Sequence, residues 1–279
     1  MVTLPTNEPA SARTIHSTST SQPLRSGSNV RTVRVAAVGD VHCGKDSAGT
    51  LQGPFGQIAD TSDILLLCGD QVNYGLPEEA NVLAKELTPV TRRIPILAVQ
   101  GNHEYESGKA DEVKAILEQA GVVFLDGEAR EIHGIGFAGV KGFMGGFGRC
   151  LLQSWGESAV KAFVQESMQE ALKLETALAM LRTSIRIAVL HYSPIQGTVE
   201  GEPAEIFPYL GSGRLEEPIN RYAVSAVFHG HAHRGTAEGR TMNQTPVYNV
   251  ALPLLQRAYP DRPSFRLMEL KVDEEGGAS

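Results

Sequence analysis

Cysteine is scarce in this 279-residue chain: Cys43, Cys68 and Cys150 are an odd number without C-x-x-C spacing. That excludes a disulfide scaffold and a zinc knuckle, which need closely spaced pairs, and it fits a reducing compartment. Cys43 and Cys68 read as small buried thiols rather than metal ligands. Long hydrophobic runs are missing too. No stretch of about 18 apolar residues exists to cross a membrane as a helix, and the N-terminal segment lacks the roughly 7–15-residue apolar core of a secretory signal. The expectation is a soluble, cytoplasmic protein without a membrane partner. No internal repeat or sustained heptad occurs, so the sequence leaves the oligomeric state open.

The first 34 residues have almost no large apolar side chains and hold twelve Ser or Thr, so they cannot bury enough surface to offset chain entropy. Residues 1–32 are therefore expected to be a disordered tail, followed by one domain over 33–273 and a frayed end at 274–279. Acidic residues are rare in the tail, with Glu8 against Arg13, Arg25, Arg31 and Arg34; given −7 overall, the body carries about −10. An acidic body argues against generic nucleic-acid binding. The Ser-rich, acid-poor tail shares features with organellar transit peptides, but it lacks a clear amphipathic helix, and a simple extension is the preferred reading.

The body is ordinary in composition, 42% hydrophobic and 20% charged, enough for one large core. Five apolar runs each stop at a polar group: VRVAAV before Gly39-Asp40, ILLLC before Gly69-Asp70, IPILAV before Gln100-Gly101, IRIAVL before His191, and AVSAVF before His229. Such runs read as buried strands. Residues 77–90 and 109–120 read as helices, the second closed by Gly121, and VVFL at 122–125 as another strand. Alternating strands and helices imply an α/β fold with parallel pairing and helices over the sheet. The longest helical signal spans 157–182, with Val160, Phe163, Val164, Ala171, Leu174, Leu178 and Leu181 as its apolar stripe and Lys161, Glu166, Glu170 and Lys173 on a solvated face. TPVYNVAL and PSFRLMELKV read as strands completing a second sheet.

In an open α/β sheet, ligands bind beyond the carboxyl ends of strands, so the five strand ends bring their polar groups to one rim. Residues two apart share a side, so Asp40 and His42 aim at one ion. Asp70 has two oxygens with which to bridge two ions, Asn102 adds an amide oxygen, and His231 and His233 point their imidazoles together. Carboxylates and imidazoles without thiolate suit Mn, Fe or Zn.

In order, Asp40-Val-His42, Gly69-Asp70, Gly101-Asn102-His103-Glu104, His191 and Gly230-His231-Ala232-His233 resemble the D-x-H, GD, GNH[DE], H and GHxH pattern of the calcineurin-like metallophosphoesterase superfamily. The resemblance spans 40–233. It implies a four-layer α-β-β-α sandwich of two mixed sheets flanked by helices, with Asp40, His42, Asp70 and His233 on one metal and Asp70, Asn102, His191 and His231 on the other. It further implies hydrolysis of a phosphomonoester or phosphodiester by a hydroxide at a dinuclear centre. His103 would contact phosphate and protonate the leaving oxygen, and Glu104 would brace the ligands. The alternatives are a non-catalytic metal-binding scaffold of the same fold and a nuclease of the same superfamily. The expected partner is a small phosphate ester.

Other signals carry less. His229 lies outside the pattern and reads as a buried hydrogen-bonded residue rather than a ligand; His16 and His133 have no partners in sequence. Gly-Ile-Gly-Phe-Ala-Gly at 134–139 matches a dinucleotide fingerprint but runs on into strand-like Val140, and Ala159 stands where an acidic residue belongs, so a nucleotide cofactor is rejected. Residues 141–149 form a glycine-rich loop bearing Lys141 and Arg149, either a cover for an anionic ester or a plain surface loop. Segment 194–221, with Glu200, Glu202, Glu205, Phe207, Tyr209, Arg214 and Arg221, is a candidate substrate-recognition loop.

Overall fold

The computed structural model describes residues 30–273. The expected tail lies outside this range except for residues 30–32, which already belong to the first strand; His16 and the expected frayed end at 274–279 lie outside it as well. In chain order the elements are β1 (Val30–Val38), α1 (Gln52–Thr61), β2 (Ile64–Cys68), α2 (Pro77–Glu86), α3 (Thr88–Thr91), β3 (Ile96–Val99), α4 (Ala110–Gln119), β4 (Val122–Phe124) and β5 (Glu128–Ile132). They continue as β6 (Ile135–Val140), α5 (Ser158–Met180), β7 (Ile185–Leu190), α6 (Phe207–Leu210), α7 (Glu216–Arg221), β8 (Ala226–His229), β9 (Glu238–Arg240), β10 (Pro246–Asn249), α8 (Leu252–Ala258) and β11 (Arg266–Asp273). No described helix is long and apolar enough to cross a membrane.

Two sheets stack face to face. One runs β11-β1-β2-β3-β4 and the other β5-β6-β7-β8-β10-β9. β1 to β4 pair in parallel, as do β6, β7, β8 and β10, while β11, β5 and β9 are antiparallel edge strands. The period of two sorts each strand between layers. Val33, Val35 and Ala37 of β1 enter the core between the sheets with Leu66, Leu97, Phe137, Ile187 and Val189. Ala36 and Val38 face the other way, into a core shared with Phe55, Leu83, Val113 and Leu117 of α1, α2 and α4. On the far side Ala188 and Leu190 of β7 meet Leu174, Ala177 and Leu178 of α5 and Ile219 of α7. The result is the four-layer α-β-β-α sandwich.

Several elements differ from the sequence reading. β11 does not complete the second sheet: it pairs antiparallel along all of β1, from Val30↔Asp273 to Ala37↔Arg266, because the chain crosses back after α8. The helix expected over 77–90 breaks at Leu87, ahead of Pro89, into α2 and α3. α1 went unread because Gly53 and Gly56 each disfavour helix by about 1 kcal/mol. Burial of Phe55 and Ile58, about 1.5–3 kcal/mol for a side chain of that kind, overrides them. β5 was hidden by its polar composition, EAREI; it forms a hairpin with β6 through His133 and Gly134, both in the left-handed region (φ 55° and 78°). Glu170 is not on a solvated face: it is 2% exposed.

Candidate metal centre

All five polar blocks meet at the carboxyl ends of β1, β2, β3, β7 and β8. Strand alternation does not aim Asp40 and His42, since β1 ends at Val38. The backbone there turns left-handed instead, with φ of 56° at Asp40, 46° at His42, 50° at Asp70 and 70° at His231. Non-glycine residues resist that region at about 1–3 kcal/mol each, and such strain concentrates at functional sites. Hydrogen bonds from Asp40 N to Gly69 O (2.9 Å), His42 N to Asp70 O (3.0 Å) and His231 N to both Asp40 carboxylate oxygens (2.9 Å) hold these turns together.

The donor atoms form two overlapping groups. In the first, His233 Nε2 lies 2.9 Å from Asp40 Oδ1 and 3.4 Å from His42 Nε2, and His42 Nε2 lies 3.9 Å from Asp70 Oδ2. In the second, His191 Nε2 lies 3.5 Å from Asp70 Oδ1 and 2.9 Å from Asn102 Oδ1, with the His231 ring 4.8 Å from the His191 ring. Three sets, Asp40-His42-His233, His42-Asp70-His103 and Asp70-His191-His231, each bring their donors within 4.8 Å of one another. Asp70 thus offers one oxygen to each group.

The motif glycines have a steric reason. A Cβ on Gly69 would overlap the His191 ring, one on Gly101 the Asp70 carboxylate, and one on Gly230 the Asp40 carboxylate. Each glycine clears space for a donor delivered by a different block.

Neighbours fix the direction of the imidazoles. His191 Nδ1 donates to Cys68 O (2.9 Å) and His103 Nδ1 to Asn73 O (2.6 Å), leaving both Nε2 atoms toward the centre. Tyr209 O lies 3.1 Å from His231 Nε2, which leaves Nδ1 of that ring for an ion. Glu104, fully buried, accepts backbone N–H groups from Asp70, Gln71, Val72 and Gly101, splicing two of the blocks. His229 points away, its ring between Gly230 O and Thr198 Oγ1 at 2.8 Å each, and burial pulls it down to about 4.

The electrostatics call for cations. Asp40, Asp70 and Glu104 are buried carboxylates, and the ion-pair partners of Asp40 and Asp70 are all histidines. Burial, then the Asp40 and Glu104 charges, push Asp70 up to about 9. Burial also pulls His42 down to about 4, His231 to about 3 and His191 well below its ordinary value, so these rings are neutral donors. Buried carboxylates among neutral imidazoles fit divalent ions with mixed oxygen and nitrogen preference. Cys43 and Cys68 take no part: their thiols are buried, Cys43 is pushed up to about 11, and Cys68 is raised as well.

The family model for calcineurin-like phosphoesterases matches residues 33–235. The chain belongs to that family. Calcineurin-like phosphoesterases bind divalent metals, which the donor groups described above suit. No curated protein matches the chain. Among solved structures, phosphopantetheinyl hydrolase from Mycobacterium tuberculosis is similar at 15% identity and a TM-score of 0.59, over 84% of this chain and 95% of that one. An anchor protein of the Plasmodium inner membrane complex aligns at 12% identity and a TM-score of 0.49, over 80% and 72%. A Staphylococcus aureus structure described as a 5′-nucleotidase aligns at 17% and 0.45, over 78% and 48%. At 15% identity the likeness to the hydrolase concerns the fold.

The expected substrate residues of this calcineurin-like phosphoesterase divide. Lys141 sits beside the second donor group: its carbonyl accepts from His191 N and Tyr192 N, and its Nζ lies 4.9, 5.4 and 5.6 Å from the Phe143, Tyr192 and Tyr105 rings. Tyr209 reaches the centre with its carbonyl while its side chain stays exposed. Arg149 is exposed and not brought to the donors. Arg214 is turned elsewhere, its Nη2 donating to Leu152 O at 2.6 Å. Arg221 pairs with Glu175 and Glu217 on the outer helices. The glycine-rich segment and 194–221 are stitched together, by Gly145 N to Pro208 O (2.8 Å), Gly146 N to Gly211 O (2.9 Å) and Gly213 N to Gly146 O (2.9 Å).

Residues the sequence reading passed over, and Glu170, which it placed on a solvated face, also build the site. Asn249, fully buried, donates to Ala232 O (2.8 Å) and supports the His231–His233 turn. Glu170 accepts Gly142 N–H (2.8 Å) and Lys173 Nζ (2.8 Å) and so anchors the glycine-rich segment beside Lys141. Tyr192, 4.5 Å from the His231 ring, forms a wall. Nothing in their local sequence marks them; the signal for Tyr192 is only its place one residue after His191.

Proposed function

We propose that this calcineurin-like phosphoesterase hydrolyses a small phosphomonoester or phosphodiester at a centre of two Mn, Fe or Zn ions. One ion is held by Asp40, His42, Asp70 and His233, the other by Asp70, Asn102, His191 and His231. The observation that carries the reading is the divided carboxylate of Asp70, whose oxygens address different donor groups. Bound ions supply Lewis acidity toward phosphoryl oxygens and water of lowered pKa.

The chain's own residues do the rest. Glu104 and the clearing glycines hold the donors in place before any substrate arrives, which removes a reorganisation cost from the reaction. His103, with Nδ1 committed to Asn73 O, presents Nε2 on the same side as Asp70 Oδ2 (3.8 Å). From there it contacts the phosphoryl group and delivers a proton to the departing oxygen.

The test is turnover of p-nitrophenyl phosphate and bis-p-nitrophenyl phosphate by metal-stripped protein reloaded with Mn, Fe or Zn. Metal-dependent hydrolysis is expected, with His103→Ala slower by about 10²–10⁴-fold at unchanged metal content. Full metal occupancy with no hydrolysis of either ester would leave a non-catalytic scaffold.

A further inference from the structure

The stitched segments and α5 border an open pocket of about 410 Å³ lined by Leu152, Cys150, Val160, Phe163, Pro208 and Tyr209, among others. No charged side chain lines it. A volume in the range of roughly 300–1,000 Å³ suits a small molecule rather than a peptide helix.

Two structural paths join this cavity to the donor groups. Tyr209 lines it and, through its own carbonyl, meets His231 Nε2 at 3.1 Å, so the cavity and the centre are one residue apart. Phe163, on another wall, packs on Phe143 (5.1 Å between ring centres), Phe143 on Tyr192 (6.1 Å) and Tyr192 on His231 (4.5 Å). Tyr209, on its wall, leaves 57% of its surface exposed.

We infer that this cavity holds the organic part of the phosphate ester and that this part is uncharged and apolar, an alkyl or aryl group. The inference rests on the phosphoesterase reading and adds to it the chemistry of the substrate. An uncharged wall gives no favourable contact to a second phosphate or a carboxylate, whose desolvation would go unrepaid. An alkyl or aryl group gains the full benefit of leaving water. The phosphoryl group lies at the donor atoms and the chain or ring passes Tyr209 into the cavity.

The experiment is calorimetric titration of the full-length, metal-loaded protein with methyl-, butyl- and octylphosphonate, which bind without being hydrolysed. Affinity is expected to rise about two- to fourfold for each added methylene until the cavity is filled. Val160→Glu, which puts a charge on the wall, and Ala159→Trp, which fills the space from an exposed helix position, are both expected to flatten that rise and leave methylphosphonate binding unchanged. Equal affinity across the series, or a rise that persists in both variants, would overturn the inference. Turnover of p-nitrophenyl phosphate, measured in parallel, separates the two readings: a chain-length series that holds in a protein without turnover sinks the catalytic reading and retains the apolar site.

Discussion

Asp70 Oδ1 lies 3.5 Å from His191 Nε2, while the other oxygen of the same carboxylate turns to His42. The two groups of donors therefore share one residue and the turn after β8, which gives His233 to one and His231 to the other, and otherwise draw on different strands. Asp70→Asn is expected to lower the affinity of both ions, whereas His191→Ala affects mainly one. Elemental analysis of purified variants checks this: metal content near zero for Asp70→Asn and near half for His191→Ala. Equal loss in the two variants would contradict the shared-bridge geometry.

Gly230 touches no ion, yet a Cβ there would collide with the Asp40 carboxylate. Gly230→Ala is expected to displace Asp40 and with it the His231 N–H bonds, at a cost of about 1–3 kcal/mol, the scale of overpacking a close-packed site. Thermal unfolding and metal content report it together: a lower midpoint and weaker metal uptake in a variant whose ligands are all intact. An unchanged midpoint with normal uptake would show that the turn relaxes freely.

Glu170 is 2% exposed and holds both Gly142 N–H and Lys173. Glu170→Ala leaves a buried N–H without its partner, a loss of about 1–3 kcal/mol, while Lys173 keeps its pair with Asp126. The segment 141–149 then loosens, and trypsin is expected to cut after the exposed Arg149 faster than in the parent protein. The same digestion rate in parent and variant would argue against the anchor.

The three thiols differ in environment. Cys43 is buried with its thiol pushed up to about 11, Cys68 is buried and raised, and Cys150 is exposed. A raised thiol pKa lowers the fraction of reactive thiolate at pH 8, and that fraction grows only as pH climbs toward the shifted value. A disulfide-exchange reagent at pH 8 is therefore expected to titrate one thiol in the native protein and three after denaturation. Rapid reaction of two or three native thiols would show that the strand ends beside the centre open to solvent.

Much of the site was legible in the chain itself. The apolar runs ending at Asp40, Asp70, Gly101, His191 and His229 carry the unbroken hydrophobicity and the terminal polar groups that local sequence can encode, and they emerged as β1, β2, β3, β7 and β8 with their donors on one rim. Motif order, ligand types and the α/β alternation follow from residue identity and spacing. Tertiary structure decided the remainder. β11 joined β1 across more than two hundred residues, a pairing no local pattern specifies. Left-handed backbone at Asp40, His42, Asp70 and His231, rather than strand alternation, aimed the donors. Cys68, Asn73 and Tyr209 orient the imidazoles through their carbonyls, and every residue has a carbonyl, so nothing in their side chains announces the role. Glu170 looked like any solvated helix residue until the glycine-rich segment closed over it, because burial is a property of what packs against a residue, and only the folded chain supplies that.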